Sequence, residues 1–164
     1  MDLEKLYCGF NNNDLYLKAC GHITASFCPS VKEMVHNFLS TQGPIKNVYV
    51  DLSECSYMDS TFMGLLIYFH KLIRDQAGSS LFILKPTVEC VNLLKNLGII
   101  RLITISTEEL PFPEHLEPIQ KIVAPSAEFL LHAHQNLMEL SEENRTKFMV
   151  VEKMLIEETK KNKS

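Results

Sequence analysis

Apolar and polar positions along this chain follow two periods, and the places where one gives way to the other mark its elements. Val48, Val50 and Leu52 alternate with Asn47, Tyr49 and Asp51, the two-residue period of a strand, whereas Phe62, Leu65, Leu66, Phe69 and Ile73 recur at helical spacing. The period changes at Asp59-Ser60, so a buried strand is expected to pass through a short polar stretch into a helix running from Ser60 to about Gln76. Gly78 punctuates the end of that helix, and Leu81 to Leu84 predicts a further apolar strand. The result is a strand-helix-strand unit whose two strands are expected to be parallel neighbours.

Upstream, Leu3 to Phe10 and Leu15 to Cys20 predict an antiparallel hairpin turned by Asn11-Asn12-Asn13-Asp14, residues that tolerate left-handed backbone. Ser30 followed by Glu33 forms a capping-box pattern, and Val31, Met34, Val35, Phe38 and Leu39 place one apolar face on a helix that Gly43-Pro44 ends. Downstream, Pro86-Thr87 opens a short helix with Val88, Val91, Leu94 and Leu97 on one side, and Gly98 closes it. The apolar run Ile99 to Ile105 reads as a second buried strand. These elements predict an α/β class, a mixed and largely parallel sheet with an antiparallel N-terminal hairpin and packed helices, over residues 1–107.

Acids and prolines from Glu108 to Pro113 begin a connector over residues 108–125, followed by a C-terminal helical extension over 126–164. Phe129, Ala133, Leu137 and Leu140 mark one face of its first helix, from Ser126 to Leu140. Ser141-Glu142-Glu143 signals the start of a second, to about Glu158, with Phe148, Val151 and Leu155 turned toward the first helix, the domain or another copy. The Lys160-Lys161-Asn162-Lys163 end is expected to fray in solvent.

Composition narrows the classes of function. With 164 residues and 46% hydrophobic content, one domain with an appendage is expected. A net charge of -4 gives no footprint for nucleic acid or an anionic membrane surface. The apolar runs fall well short of the roughly 20 residues that span a bilayer, and acids at Asp2 and Glu4 do not fit a secretory leader, so a cytoplasmic protein is expected. The five cysteines, Cys8, Cys20, Cys28, Cys55 and Cys90, lack Cys-x-x-Cys spacing and read as reduced buried thiols, with Cys55 as a redox-sensitive neighbour of Ser60 the lesser alternative. The six histidines, His22, His36, His70, His115, His132 and His134, show no His-Glu-x-x-His pattern and read as surface or capping residues, so no metal is expected. Phosphate-binding glycine loops are absent, so no cofactor is expected either. Asp51, Asp59 and Ser60 have no histidine that the sequence places beside them, and no enzyme or catalytic residue is expected.

Ser60 is the candidate for regulation. A serine at a helix start either caps the helix, an effect of about 1 kcal/mol, or holds a phosphate near unpaired N–H groups. The stretch Asp51-Leu52-Ser53, followed by Met58-Asp59-Ser60-Thr61-Phe62-Met63-Gly64-Leu65-Leu66, resembles the signature of STAS domains, the fold of bacterial anti-sigma factor antagonists. The likeness runs over roughly residues 3 to 107 and includes the order of elements. It implies that Ser60, with Thr61 as fallback, is phosphorylated by a serine kinase that is also the anti-sigma factor, and dephosphorylated by a metal-dependent serine phosphatase. It further implies partner switching on a surface built by Met58, Asp59, Thr61, Phe62 and Met63, with Asp51 near the site at the strand end. The chain departs from the family's frequent Asp-Ser-Ser/Thr-Gly-Leu-Gly: Phe62 stands for the first glycine and Met63 for the leucine, while Gly64 is kept. Gly21-His22-Ile23-Thr24 likewise replaces a Gly-Glu-Leu-Asp-like turn. The alternative is a scaffold in which Ser60 only caps its helix and the C-terminal helices drive assembly, as in a homodimer.

Overall fold

The computed structural model describes residues 3–163. Met1, Asp2 and Ser164 lie outside the described residues, and with them the expectation placed on the acid at Asp2.

Strands β1 (Lys5–Asn11) and β2 (Asp14–Ile23) pair antiparallel. Their two-residue turn puts Asn12 and Asn13 at φ 51° and 67°, the left-handed conformations that a tight hairpin matched to strand twist requires. Helix α1 (Cys28–Gln42) leads into β3 (Val48–Met58), helix α2 (Ser60–Ile73) into β4 (Leu81–Leu84), and helix α3 (Val88–Asn96) into β5 (Thr104–Ser106). Each of these crossovers joins parallel neighbours, and a short β6 (Glu117–Pro118) pairs antiparallel with β1, so the sheet order is β5-β4-β3-β2-β1-β6. Pro118 is tolerated there because β6 is an edge.

The register explains the core. Leu15 aligns with Val48 and Leu81, and Leu17 with Val50 and Ile83, so one sheet face is a continuous apolar surface covered by Val31 and Val35 of α1 and Phe62, Leu66 and Phe69 of α2. On the other face Tyr16, Tyr49 and Phe82 stack across three strands with ring centroids 5.0 Å apart at each step, and Phe112 sets its edge on Tyr16.

The structure corrects several boundaries. Helix α1 begins at Cys28 with Pro29 in its first turn and no side-chain cap, and Ser30, expected to cap, donates instead to the Gln120 carbonyl. Strand β3 runs six residues beyond Leu52 to Met58, because register shifts against β2 let the pairing continue past the alternating stretch. The run Ile99 to Ile105 is no buried strand: a 3-10 turn at Ile99–Arg101 follows left-handed Gly98 at φ 74°, and only Thr104–Ser106 pairs, with Thr104 and Ile105 exposed. Val88, expected on the apolar side of α3, is exposed. Residues expected to form only a connector contribute β6.

Helices α4 (Ala127–Met138) and α5 (Glu142–Asn162) start at Ser126 and Ser141, whose side chains accept from Phe129 N and Asn144 N. They form a hairpin, and α4 packs along α2. Helix α5 continues to Asn162, through the lysines expected to fray. No helix among the described residues is long and apolar enough to cross a membrane.

Candidate functional site

The extra length of β3 carries the chain alongside the end of β2, where Asp59 N donates to Ile23 O at 3.0 Å. Asp59 then caps α2: its Oδ1 accepts from Phe62 N at 2.9 Å and its Oδ2 from Ala25 N at 2.8 Å. One carboxyl group thus fixes the start of α2 against the turn that follows β2. Burial pushes the Asp59 carboxyl above its usual range, against the pull of the Phe62, Ala25 and Thr61 N–H groups and of nearby His134. Ser60 is therefore the first residue of the helix, not its cap, and the N–H groups expected to be free for a phosphate are already engaged: Phe62 N by the Asp59 side chain and Met63 N by the Asp59 carbonyl.

The Ser60 hydroxyl lies 2.8 Å from Nε2 of His134, a residue of α4 that is 7% exposed. Nδ1 of the same ring is 2.7 Å from Leu130 O, which can only accept, so Nδ1 carries a proton, and in the neutral ring Nε2 accepts from the hydroxyl. The edge of Phe148 from α5 closes over the imidazole, ring centroids 5.3 Å apart. One turn along α2, Gly64 allows α4 to approach backbone to backbone: a Cβ there would stand 2.8 Å from the Ala133 carbonyl carbon and 2.9 Å from its Cα. Further along, Lys71 Nζ meets Asn136 Oδ1 at 2.8 Å and Glu139 at 2.5 Å, while Lys32 of α1 lies over the rings of Tyr68 and Phe129. Asn144, 1% exposed, donates to both Leu97 O and Leu137 O at 2.9 Å and ties the hairpin to the end of α3.

This arrangement differs from the sequence expectation in who is exposed. Met58, Thr61, Phe62 and Met63 are buried, so in this conformation they build core rather than a partner surface, and the Thr61 hydroxyl is not presented as a fallback acceptor. Phe62 is wholly inside because the third position of α2 points at the sheet. Asp59 and Ser60 stay partly exposed, with Tyr57 and His22 in ring contact beside them. Asp51 is not at the strand end. Seven residues of strand, roughly 23 Å at the usual rise, separate it from Met58, and its Oδ1 accepts from the Ser53 N–H and hydroxyl. His134, which the sequence assigned to the surface or a cap, is instead buried against Ser60.

A serine hydroxyl here faces an oriented histidine, and the cleft further along α2 and α4, lined by Gly64, Ala133 and Phe129, holds only about 10 Å³. The larger clefts lie elsewhere, one of about 360 Å³ between Lys18, Asp51, Lys85 and Glu109. Among the described residues no three His, Cys, Asp or Glu side chains gather as metal ligands. Cys55 is buried and its thiol donates to Tyr57 O, with the Cys90 thiol and burial pushing it upward, which removes the redox-sensitive alternative.

Against known proteins, the family model described as "STAS domain" matches residues 10–110. No curated relative matches the sequence. Among solved structures, the fold is similar to that of the anti-sigma factor antagonist SpoIIAA in its unphosphorylated form, with a TM-score of 0.54 and 15% identity over 63% of this chain and 89% of that one. It is also similar to the Bacillus cell fate determinant SpoIIAA in the phosphorylated form, with a TM-score of 0.50 and 15% identity over 63% of this chain and 92% of that one. The family match ends ahead of β6, α4 and α5.

Proposed function

The chain belongs to the STAS domain family, and from that premise we propose that it is a regulator of the anti-sigma factor antagonist type, switching protein partners through phosphorylation of Ser60. The observation that supports this reading most is the place of Ser60: first residue of α2, directly after the Asp59 cap, partly exposed, and inside the matched residues. In the transfer, the Ser60 oxygen bonds to the γ-phosphorus of a nucleoside triphosphate, the bond to the β-phosphate oxygen breaks, and the hydroxyl proton leaves. The protein is then the substrate of a serine kinase, which is also its anti-sigma-type partner, and of a metal-dependent serine phosphatase, and is itself no catalyst. It works in the cytoplasm. The partner surface centres on Asp59 and Ser60 with Tyr57 and His22 at its rim, since the other expected positions are buried. Residues 1–107 carry the switch, and 126–164 form a separate functional element.

Intact-mass measurement of the protein isolated from its native cell, with fragmentation across residues 57–66, tests this. A phosphate on Ser60 in one growth condition and not in another is the expected result; a Ser60 that carries none in any condition refutes it. One observation favours a second reading, a scaffold without phosphorylation: the Ser60 hydroxyl engages His134 on α4 of the same chain.

A further inference from the structure

We propose that the α4–α5 hairpin is the resident occupant of the Ser60 face, and that a docked hairpin and a phosphate on Ser60 exclude one another. The inference rests on the reading of Ser60 as phosphoacceptor and assigns a role to the segment beyond the family match. Three observations carry it.

The first is contact. Nε2 of His134 sits 2.8 Å from the Ser60 oxygen, on one of the approaches that a phosphorus bonded to that oxygen would use. The imidazole has nowhere to retreat, because Nδ1 is held by Leu130 O on one side and Phe148 lies against the ring. Esterification also removes the hydroxyl proton that Nε2 of the neutral ring accepts, so the Ser60–His134 bond seen here is lost. The second is complementarity. Gly64 admits the Ala133 backbone at a distance that any Cβ would forbid, and Lys71 and Asn144 fix the hairpin further along, so α4 fits the α2 face as a specific partner helix would. The third is attachment. Lys121 pairs with Glu4 and Ile122 N donates to Ser26 O, holding the chain to the domain up to that point. Val123-Ala124-Pro125-Ser126 then runs without helix or strand to α4, with Val123 fully exposed. The hairpin can leave on this short link while the sheet stays intact. What it uncovers is an apolar helix face with a glycine at its closest approach, a surface suited to a partner helix that carries a small residue there.

The test uses the full-length chain with phosphoserine installed at position 60 by codon reassignment, so no kinase need be known. Hydrogen exchange is followed by mass spectrometry. In the unmodified chain, residues 127–162 should be protected; with phosphoserine they should exchange at least about tenfold faster, while β2, β3 and β4 keep their protection. Gly64→Leu, which overlaps the Ala133 backbone and leaves the Ser60 hydroxyl unmodified, should release the hairpin in the same way. Unchanged protection of 127–162 in the phosphorylated chain overturns the proposal, and so does equal loss of protection in sheet and hairpin, which would mean that the hairpin is not a separable element. Because the phosphate is installed, either result stands apart from the native-cell mass measurement that decides whether Ser60 is a phosphoacceptor at all.

Discussion

Replacing Asp59 with alanine removes the group that locates Ser60, and the size of the effect can be worked from its two bonds. The bond from Phe62 N is a helix cap, whose loss typically costs about 1 kcal/mol. The bond from Ala25 N joins the turn after β2 to α2, and stranding that donor adds roughly 1–3 kcal/mol. The sum, about 2–4 kcal/mol, corresponds to a fall in Tm of roughly 4–16 °C for a chain of this size. The pH dependence has a definite sign. Burial raises the folded carboxyl above the unfolded value, so the native state holds that proton more tightly than the unfolded chain does. The Asp59 contribution is therefore fullest below the unfolded pKa of about 3.9 and is partly lost as pH rises through the folded value. Urea unfolding of wild type and Asp59→Ala, compared at about pH 4 and about pH 7, should give the larger difference at the lower pH. A cost below about 1 kcal/mol at both, or a larger cost at neutral pH, would refute the account of Asp59 as a buried bridging cap.

Ser60→Ala should lower stability by about 1 kcal/mol through the lost bond to His134, visible as a small Tm shift, and the variant from native cells should show no phosphate at this peptide. Asn144→Ala removes two buried bonds and should destabilise by about 2–4 kcal/mol; calorimetry should show the loss, with hydrogen exchange placing it first in α4 and α5. Of the five cysteines only Cys20 is partly exposed, so alkylation of the native protein at about pH 8 should label it first, while Cys8, pushed up to about 12 by burial and nearby Glu117, should react only after unfolding. Peptide mapping that finds Cys8 modified ahead of Cys20 would contradict the burial assigned to both.

The order of elements was legible because the residues that set it act locally. Asn12-Asn13 turn the hairpin, Leu81 to Leu84 is too short and apolar for anything but a buried strand, and Ser126 and Ser141 cap the helices that follow them. Where packing decides, the pattern misled. After Leu52 the alternation breaks at Ser53 and Glu54, yet the register shift restores pairing and buries Cys55 and Met58. Ile99 to Ile105 is apolar at all but Arg101 and Thr104, and periodicity alone does not separate a strand from a 3-10 turn followed by three paired residues. His134 had a signal: it lies three residues after Leu131 and three before Leu137, both buried, which places it on the inward stripe of α4. That spacing says the ring is inside; it does not say that Ser60 is opposite, since the pairing of α4 with α2 is set by Gly64 and Ala133 across 69 residues of chain.

The same geometry decides which way a phosphate would act. At most helix starts an added phosphate is welcomed by free N–H groups and the positive end of the dipole. Here the Phe62 and Met63 N–H groups already point at Asp59, whose carboxyl is itself raised by burial. A phosphate on Ser60 brings about -1.5 to -2 charges next to that carboxyl and gains few of the usual donors. With α4 seated, it also replaces the hydroxyl that meets Nε2 of His134. Attraction to the helix start is thus weak and the Ser60–His134 hydroxyl bond is lost, so the modification is better suited to loosening what lies on this face than to ordering it. Under the proposed switch, partner exchange at Ser60 turns on the strength of the hairpin's own hold, through Gly64, Lys71 and Asn144, as much as on the affinity of any outside protein.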